Sequence, residues 1–195
     1  MPLFIPPSAA ESRAPVFAAR PDRSLTEIVP LNAIAGADIE ALLDAAFGAD
    51  RHERTAYKLR AGTRAIPALS FAAVNGSKLR GTLQSWPVRL ETQAGTSAGL
   101  TLVGPVAVSP AQQRSGIGRM LMTHMLRVAD AGAADVLMMI GDPEYYGRFF
   151  GFTAEATGGW ELPGPVERHR LLARIQRVGG VPAEGVIEPD IGRMG

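Results

Sequence analysis

The sequence predicts an α/β fold: a mixed sheet, mostly antiparallel, with one parallel strand pair and helices on both faces. Three observations carry this. An Asn-Gly turn joins two strand-like segments mid-chain, "ALSFAAVNG" (68–76) and "SKLRGTLQSWPVRL" (77–90). A nearly apolar strand, "GLTLVGPVAV" (99–108), follows them. An amphipathic helix then separates that strand from a second apolar one, "ADVLMMIGD" (134–142). Two-residue turns make antiparallel neighbours, and a crossover helix makes parallel ones.

The elements can be justified in order. Residues 1–24 mix Pro, Ala, Ser and Arg without a period and read as a flexible arm, with Phe4 and Phe17 as docking points. "LTEIVPLN" (25–32) reads as a first strand, weakened by Pro30. Ile39, Leu42, Leu43, Ala46 and Phe47 recur at helical spacing, and Gly48 is a stop. Asp50 and Glu53 resemble a capping box that opens a second, short and polar helix through Tyr57 and Leu59. The hairpin and the strand at 99–108 come next, the latter apolar enough to be buried on both faces. Ile117, Met120, Leu121, Met125 and Val128 give the crossover helix, 116 to about 131, its apolar stripe. In "HRLLARIQRV" (169–178), Leu171, Ala173 and Ile175 alternate with Arg170, Arg174 and Gln176 as in a last strand. The domain then spans 25–178, and 179–195 reads as a C-terminal tail or a cover for a neighbour.

Bulk properties narrow the function classes. A chain of 195 residues, 46% hydrophobic and 20% charged, can bury a core without staples. A net charge of +1 supplies no global field for nucleic acid or anionic membrane, so neither is an expected partner. The lack of cysteine excludes disulfides, thiol catalysis and thiolate-bound metals. No run approaches the roughly 20 apolar residues of a membrane helix, and no signal peptide pattern opens the chain. A cytoplasmic protein is expected. No metal-ligand spacing occurs, so no metal site is expected.

The stretch "VGPVAVSPAQQRSGIGRMLMTHML" (103–126) carries the chemistry. A strand ends near Val108, Ser109 and Pro110 break it, and a Gly-rich turn runs directly into a helix. Unpaired N–H groups and the helix dipole make such a start an anion site, and glycines let a phosphate come close. Arg114 and Arg119 add charged donors. The turn is not a Walker loop, since no Gly-Lys-Ser/Thr follows. Nor is it a dinucleotide fingerprint, since Leu121 replaces the third glycine. A glycine turn used only for packing is the alternative.

Gln113-x-x-Gly116-x-Gly118 after a "VAV" strand, with "YYGRFFGF" about 30 residues later, resembles the acyl-CoA site of the GNAT acetyltransferase superfamily. The resemblance covers about residues 25–176. It implies two neighbouring parallel strands that splay, with the acyl-CoA between them. Val106, Ala107 and Val108 would offer strand-edge backbone groups to the pantetheine arm. Gln113, Arg114, Ser115, Gly116, Ile117, Gly118 and Arg119 would bind the pyrophosphate. Gly104-Pro105 marks where pairing with the 134–140 strand is lost, or else an ordinary bulge.

The resemblance further implies transfer of an acetyl group from acetyl-CoA to an amine by direct attack. A catalytically silent acyl-CoA-binding module, or a scaffold that keeps only the fold, are the alternatives. The departing thiolate needs a proton, and a tyrosine is suited to supply it. The family's acid tyrosine stands four residues before the glycine of Phe-Gly-Phe, which here is Gly147. The extra Phe (Phe149-Phe150) shifts the tyrosines by one, and a helical turn bulged by one residue would restore Tyr146. Tyr145 is the second candidate, and both merely walling the pocket is the alternative. Asp142 is the first candidate base, with Glu144 and His52 after it, or a water chain in their place. Asp142-Pro143 is equally good helix-start chemistry.

Other residues have plainer readings. His124 reads as a packed histidine, and His169 has no ligand partners in sequence. Trp86 and Trp160 read as packing residues or as lining of an acceptor pocket. The segments 50–61, 84–98 and 158–166 are expected to shape that pocket. The arginines of "VERHRLLAR" read as the solvated or homodimer-facing side of a strand.

Overall fold

The computed structural model of the chain describes residues 26–176 and 180–192. The expected N-terminal arm lies outside the described residues. Among the described residues, eight strands form one sheet: β1 Thr26–Pro30, β2 Phe71–Asn75, β3 Lys78–Glu91, β4 Ser97–Val108, β5 Val136–Ile140, β6 Gly159–Glu161, β7 Leu171–Ile175 and β8 Glu184–Pro189. Four α-helices accompany them there: α1 Gly36–Phe47, α2 Thr55–Lys58, α3 Ile117–Val128 and α4 Pro143–Phe150. The main order is β1-β2-β3-β4-β5-β7. All pairs along it are antiparallel except β4–β5, as the crossover through α3 requires. No described helix is long and apolar enough to cross a membrane.

The β2–β3 hairpin turns at Gly76-Ser77, because Asn75 still pairs with Lys78. Gly76 takes a φ of +56° there. β4 and β5 are buried on both faces, as their apolar runs predict. Leu137 and Met139 of β5 join the α3-side core with Val103, Leu121, Met125, Phe150 and Phe152. Val136 and Met138 turn to the opposite core with Trp160, Leu100, Leu102 and Leu171. On that same side α1 packs Ile39, Leu42 and Leu43 over Ala72 and Ala107.

Two expectations need correction. The second helix is not continuous: Ala49–Glu53 is a 3-10 turn, and α2 is a single four-residue turn. The Asp50 carboxylate folds back over Gly48, so close that a methyl on Gly48 would lie 2.6 Å from Oδ1. The C-terminal tail supplies a strand. β8 pairs with the second half of β3, Val88–Glu91, beside the half that β2 occupies, and also with β6. Arg168 and Arg170 are exposed, as the solvated reading expects, and the arginines near β7 also bond within the chain. Arg174 makes two hydrogen bonds to the Asp130 carboxylate, at 2.7 and 3.2 Å. Arg168 donates to the carbonyls of Trp160 and Thr157.

β8 is thus integral to the sheet. Ile187 is fully buried against Val88 and Leu90, whereas Ile191 beyond the strand is 60% exposed. Ile187→Ala is expected to cost about 2–5 kcal/mol in urea unfolding. Ile191→Ala is expected to stay within about 0.5 kcal/mol. Equal effects of the two would contradict the strand assignment.

Candidate active site

The site begins where β4 leaves β5. The two strands pair only at Thr101↔Leu137 and Leu102↔Met138. Two residues later, Gly104 has a φ of +129°, a conformation that only glycine adopts readily, and the Gly104–Pro105 peptide is cis. Against β3 the register shifts at this point: Leu83 opposes Val106, while Ser85 opposes Val103. β4 therefore carries one extra residue, a bulge that turns it away from β5. Both readings of Gly104-Pro105 hold at once. The bulge is sealed from the β3 side, where Ser85 N–H donates to Ser70 Oγ (3.0 Å) and Ser85 Oγ donates to the Leu69 carbonyl (2.7 Å).

The register also fixes which backbone groups of β4 face the gap. Ser109 N–H donates to the Arg80 carbonyl at 2.8 Å, which makes that opposed pair a hydrogen-bonded one. Antiparallel pairs alternate, so Ala107↔Thr82 is the next such pair. Val106 and Val108 then turn their N–H and C=O groups away from β3, toward the side where the β5 ladder has ended. Ala107 differs from its two neighbours, because its backbone is engaged by β3 and its side chain is buried under α1.

The α3 N-terminus lies directly alongside. Arg114, at φ +64°, and Gly116, at φ +85°, both take left-handed conformations around Ser115. Such alternation turns backbone N–H groups into a concave anion nest, although the Ser115 N–H itself donates to the Gln112 carbonyl at 3.2 Å. The N–H groups of Ile117, Gly118 and Arg119 have no intrahelical acceptor, as in any first turn. Ser115 Oγ is buried with no partner among the described residues. A methyl on Gly118 would meet Val108 and Val106 at 3.6 and 3.9 Å, ordinary contact distances. Packing within the protein therefore does not demand glycine there. Beside this turn a groove of about 370 Å³ is bounded by Gly116, Arg119, His124 and Arg127. His124 itself packs edge-on against Phe71, with ring centroids 4.6 Å apart.

Across the gap, β5 ends at Ile140 and α4 starts. Asp142 is its N-cap, with Oδ1 accepting the Glu144 N–H at 3.0 Å. Helix α4 runs without a bulge, contrary to the expectation. At its closure the Phe152 N–H reaches back six residues to the Tyr146 carbonyl at 3.3 Å. That span is one residue wider than the five of a Schellman closure. Tyr146 is half-buried against the α3-side core, while Tyr145 is 36% exposed. The Tyr146 ring lies on the Gly141 backbone: a methyl on Gly141 would fall 2.6 Å from ring atom Cδ2. Burial, with Tyr145 and Asp142 nearby, pushes the Tyr146 phenol up to about 12. Phe149 is exposed and lies under the Arg119 guanidinium, 4.6 Å from its carbon, so it bridges α4 to the start of α3.

Comparison with known families decides the affiliation. The acetyltransferase (GNAT) domain profile matches residues 30–154. The chain belongs to the GNAT acetyltransferase family. Among solved structures, its fold is similar to the GNAT family N-acetyltransferase YhbS of Escherichia coli, solved in complex with CoA. The identity is 23%, coverage is 88% of this chain and 93% of that one, and the TM-score is 0.63. It is also similar to a GNAT family acetyltransferase of Brucella melitensis, solved with acetyl-CoA. There the identity is 24%, coverage is 84% and 94%, and the TM-score is 0.56. No curated protein matches the chain.

The structure thus gathers Val106, Val108, residues 114–119, Asp142 and Tyr146 around one gap. His52 lies apart from it, exposed and edge-on to Tyr57 at 4.8 Å. Sequence reasoning missed Arg51, Arg60 and Gln84, whose partners are distant in sequence or belong to other elements.

Two outcomes test this geometry. Alkaline titration followed by phenolate absorbance should show one of the three tyrosines ionising late, near 12, and that phase should vanish in Tyr146→Phe. Because the folded phenol holds its proton above its ordinary pKa, its contribution to stability is complete below pH about 10 and is lost as pH rises through 12. Gly141→Ala should lower the melting temperature and alter near-ultraviolet dichroism, since the tyrosine ring must move. Unchanged spectra would disprove the contact.

Proposed function

We propose that the protein is an N-acetyltransferase that takes its acetyl group from acetyl-CoA and gives it to an amine by direct attack in a ternary complex. The observation that carries this reading is the parted β4–β5 pair, with the Val106 and Val108 backbone turned into the gap beside the α3 anion nest. The buried, unpartnered Ser115 hydroxyl and the glycine at 118 support an anionic ligand that approaches the backbone closely. The CoA and acetyl-CoA complexes of the two similar structures point to the same ligand class.

In this reading the N–H groups of residues 114 and 116–119, the Ser115 hydroxyl and the Arg114 and Arg119 side chains hold the pyrophosphate, the Ser115 N–H being engaged by the Gln112 carbonyl. Gln113 leads into that turn. Val106 and Val108 align the pantetheine arm and give an N–H to the carbonyl oxygen as it gains charge. A carbon–nitrogen bond forms, the carbon–sulfur bond breaks, and the amine loses a proton. Tyr146 donates its phenolic proton to the departing sulfur. The phenol holds its proton at physiological pH, and its raised pKa makes the transfer uphill until charge builds on the sulfur. Asp142 takes the amine proton through Oδ2, since Oδ1 caps α4. A cytoplasmic location completes the reading.

Acetyl-CoA should raise the melting temperature, and free thiol should appear when an amine panel is added. Tyr146→Phe should lower turnover about 10²- to 10⁴-fold while keeping the acetyl-CoA shift. Tyr145→Phe should change turnover little. Stabilisation without thiol release from any amine would identify a silent binder, and no stabilisation by any CoA ester would leave only a scaffold. Full turnover in Tyr146→Phe would remove the tyrosine from the proton path.

A further inference from the structure

Two arginines are buried beside Tyr57, and only one has carboxylate partners. Arg51 pairs with Glu40 at 2.5 Å and Asp44 at 2.8 Å, and it donates to the Tyr57 hydroxyl. Arg60 is 8% exposed and pairs with no carboxylate among the described residues. Its Nη1 donates to Gln84 Oε1 at 3.2 Å. Its guanidinium carbon lies 3.4 Å from the Tyr57 ring centroid and 4.9 Å from that of Trp86. Arg60 Nη2 is buried without an acceptor among the described residues, and so is Trp86 Nε1. Burial lowers the Arg60 pKa, against the opposing pull of Tyr57.

A buried cation without a counter-ion is costly, and so is each buried donor without an acceptor. Here both kinds of cost fall in one small cluster. Its location matters too. Gln84 and Trp86 flank Ser85, which opposes Val103 at the β4 bulge. They face the side of the sheet opposite α3, where Leu59, Leu162 and Val166 pack with Trp86. Thr55 Oγ1 ties α2 to that loop through the Pro165 carbonyl at 2.8 Å. The cluster therefore stands beside the point where the acyl gap opens, on the face the α3 anion nest does not use.

We propose that Arg60 Nη2 and Trp86 Nε1 recognise a carboxylate on the acceptor, so that the acceptor is an amine bearing a carboxylate. The inference rests on the acetyltransferase reading above for its chemistry, though not for its binding site. One guanidinium nitrogen and one indole N–H, on side chains whose guanidinium carbon and ring centroid lie 4.9 Å apart, equal in number the two oxygens of a carboxylate. A phosphate would leave a third oxygen without a donor here, since Nη1 is engaged by Gln84.

The test uses amino acids and dipeptides, each paired with its carboxamide, and one amine bearing a phosphate. Wild-type protein should turn over the free acids with kcat/KM roughly tenfold to a hundredfold above the amides and the phosphate. With CoA present, the acids but not the amides should also raise the melting temperature. Arg60→Gln and Trp86→Phe should erase the acid preference through KM, and Arg60→Lys should keep part of it. An unchanged acetyl-CoA shift will show that each variant is folded. Acids and amides treated alike by wild type, or a preference that survives Arg60→Gln, would overturn the assignment. A preference for the phosphate would overturn the carboxylate class. Acid-specific stabilisation dependent on Arg60, with no turnover of any amine, would support the site and sink the transferase reading instead.

Discussion

Everything at the site depends on two parallel strands that pair and then part. Pairing at Thr101 and Leu102 anchors β4 to β5, so the two share both cores. The extra residue at Gly104-Pro105 then turns β4 away. Open sheet edges inside a protein are costly, because backbone groups lose water without gaining partners. The chain limits that cost to one side. Ser70 and Leu69 satisfy Ser85 behind the bulge, and the Val106 and Val108 groups are left facing the gap.

The gap has two walls, set by different physics. On the α3 side, left-handed residues at 114 and 116 collect N–H groups at a helix start, which makes that wall electropositive. On the α4 side, a tyrosine ring is pressed onto a glycine backbone, which makes that wall apolar and keeps its phenol protonated. Phe149 spans the two by lying under Arg119.

The sheet was legible where local pattern decides structure. The Asn-Gly hairpin, the two apolar strands and the crossover helix each carry their own signal. The Gly-rich turn was equally legible, since its glycines act within a few residues. What escaped depends on distant partners. β6 and β8 are short and interrupted by Gly and Pro, and they become strands only because β3 offers an unpaired half. The Asp50–Glu53 spacing promised a helix, but Arg51 is drawn under α1 by Glu40 and Asp44, and the chain breaks into a 3-10 turn. Arg60 reads as one more surface arginine until Tyr57 and Trp86 are seen to enclose it. The inward turn of Val106 and Val108, but not Ala107, follows from register, which a single strand's sequence does not contain.

The late strand β8 bears on how the chain reaches this state. Arg89 of β3 bonds Glu188 of β8 at 3.0 Å across a sequence separation of 99 residues. The intervening chain includes β4, α3, β5 and α4, the whole of the candidate site. Closing so long a loop costs entropy that only the completed sheet returns. The second half of β3 thus stays an open edge, beside apolar Val88 and Leu90, until the rest has assembled. During synthesis that edge is the segment most exposed to pairing with another chain, and β8 is the strand that protects it.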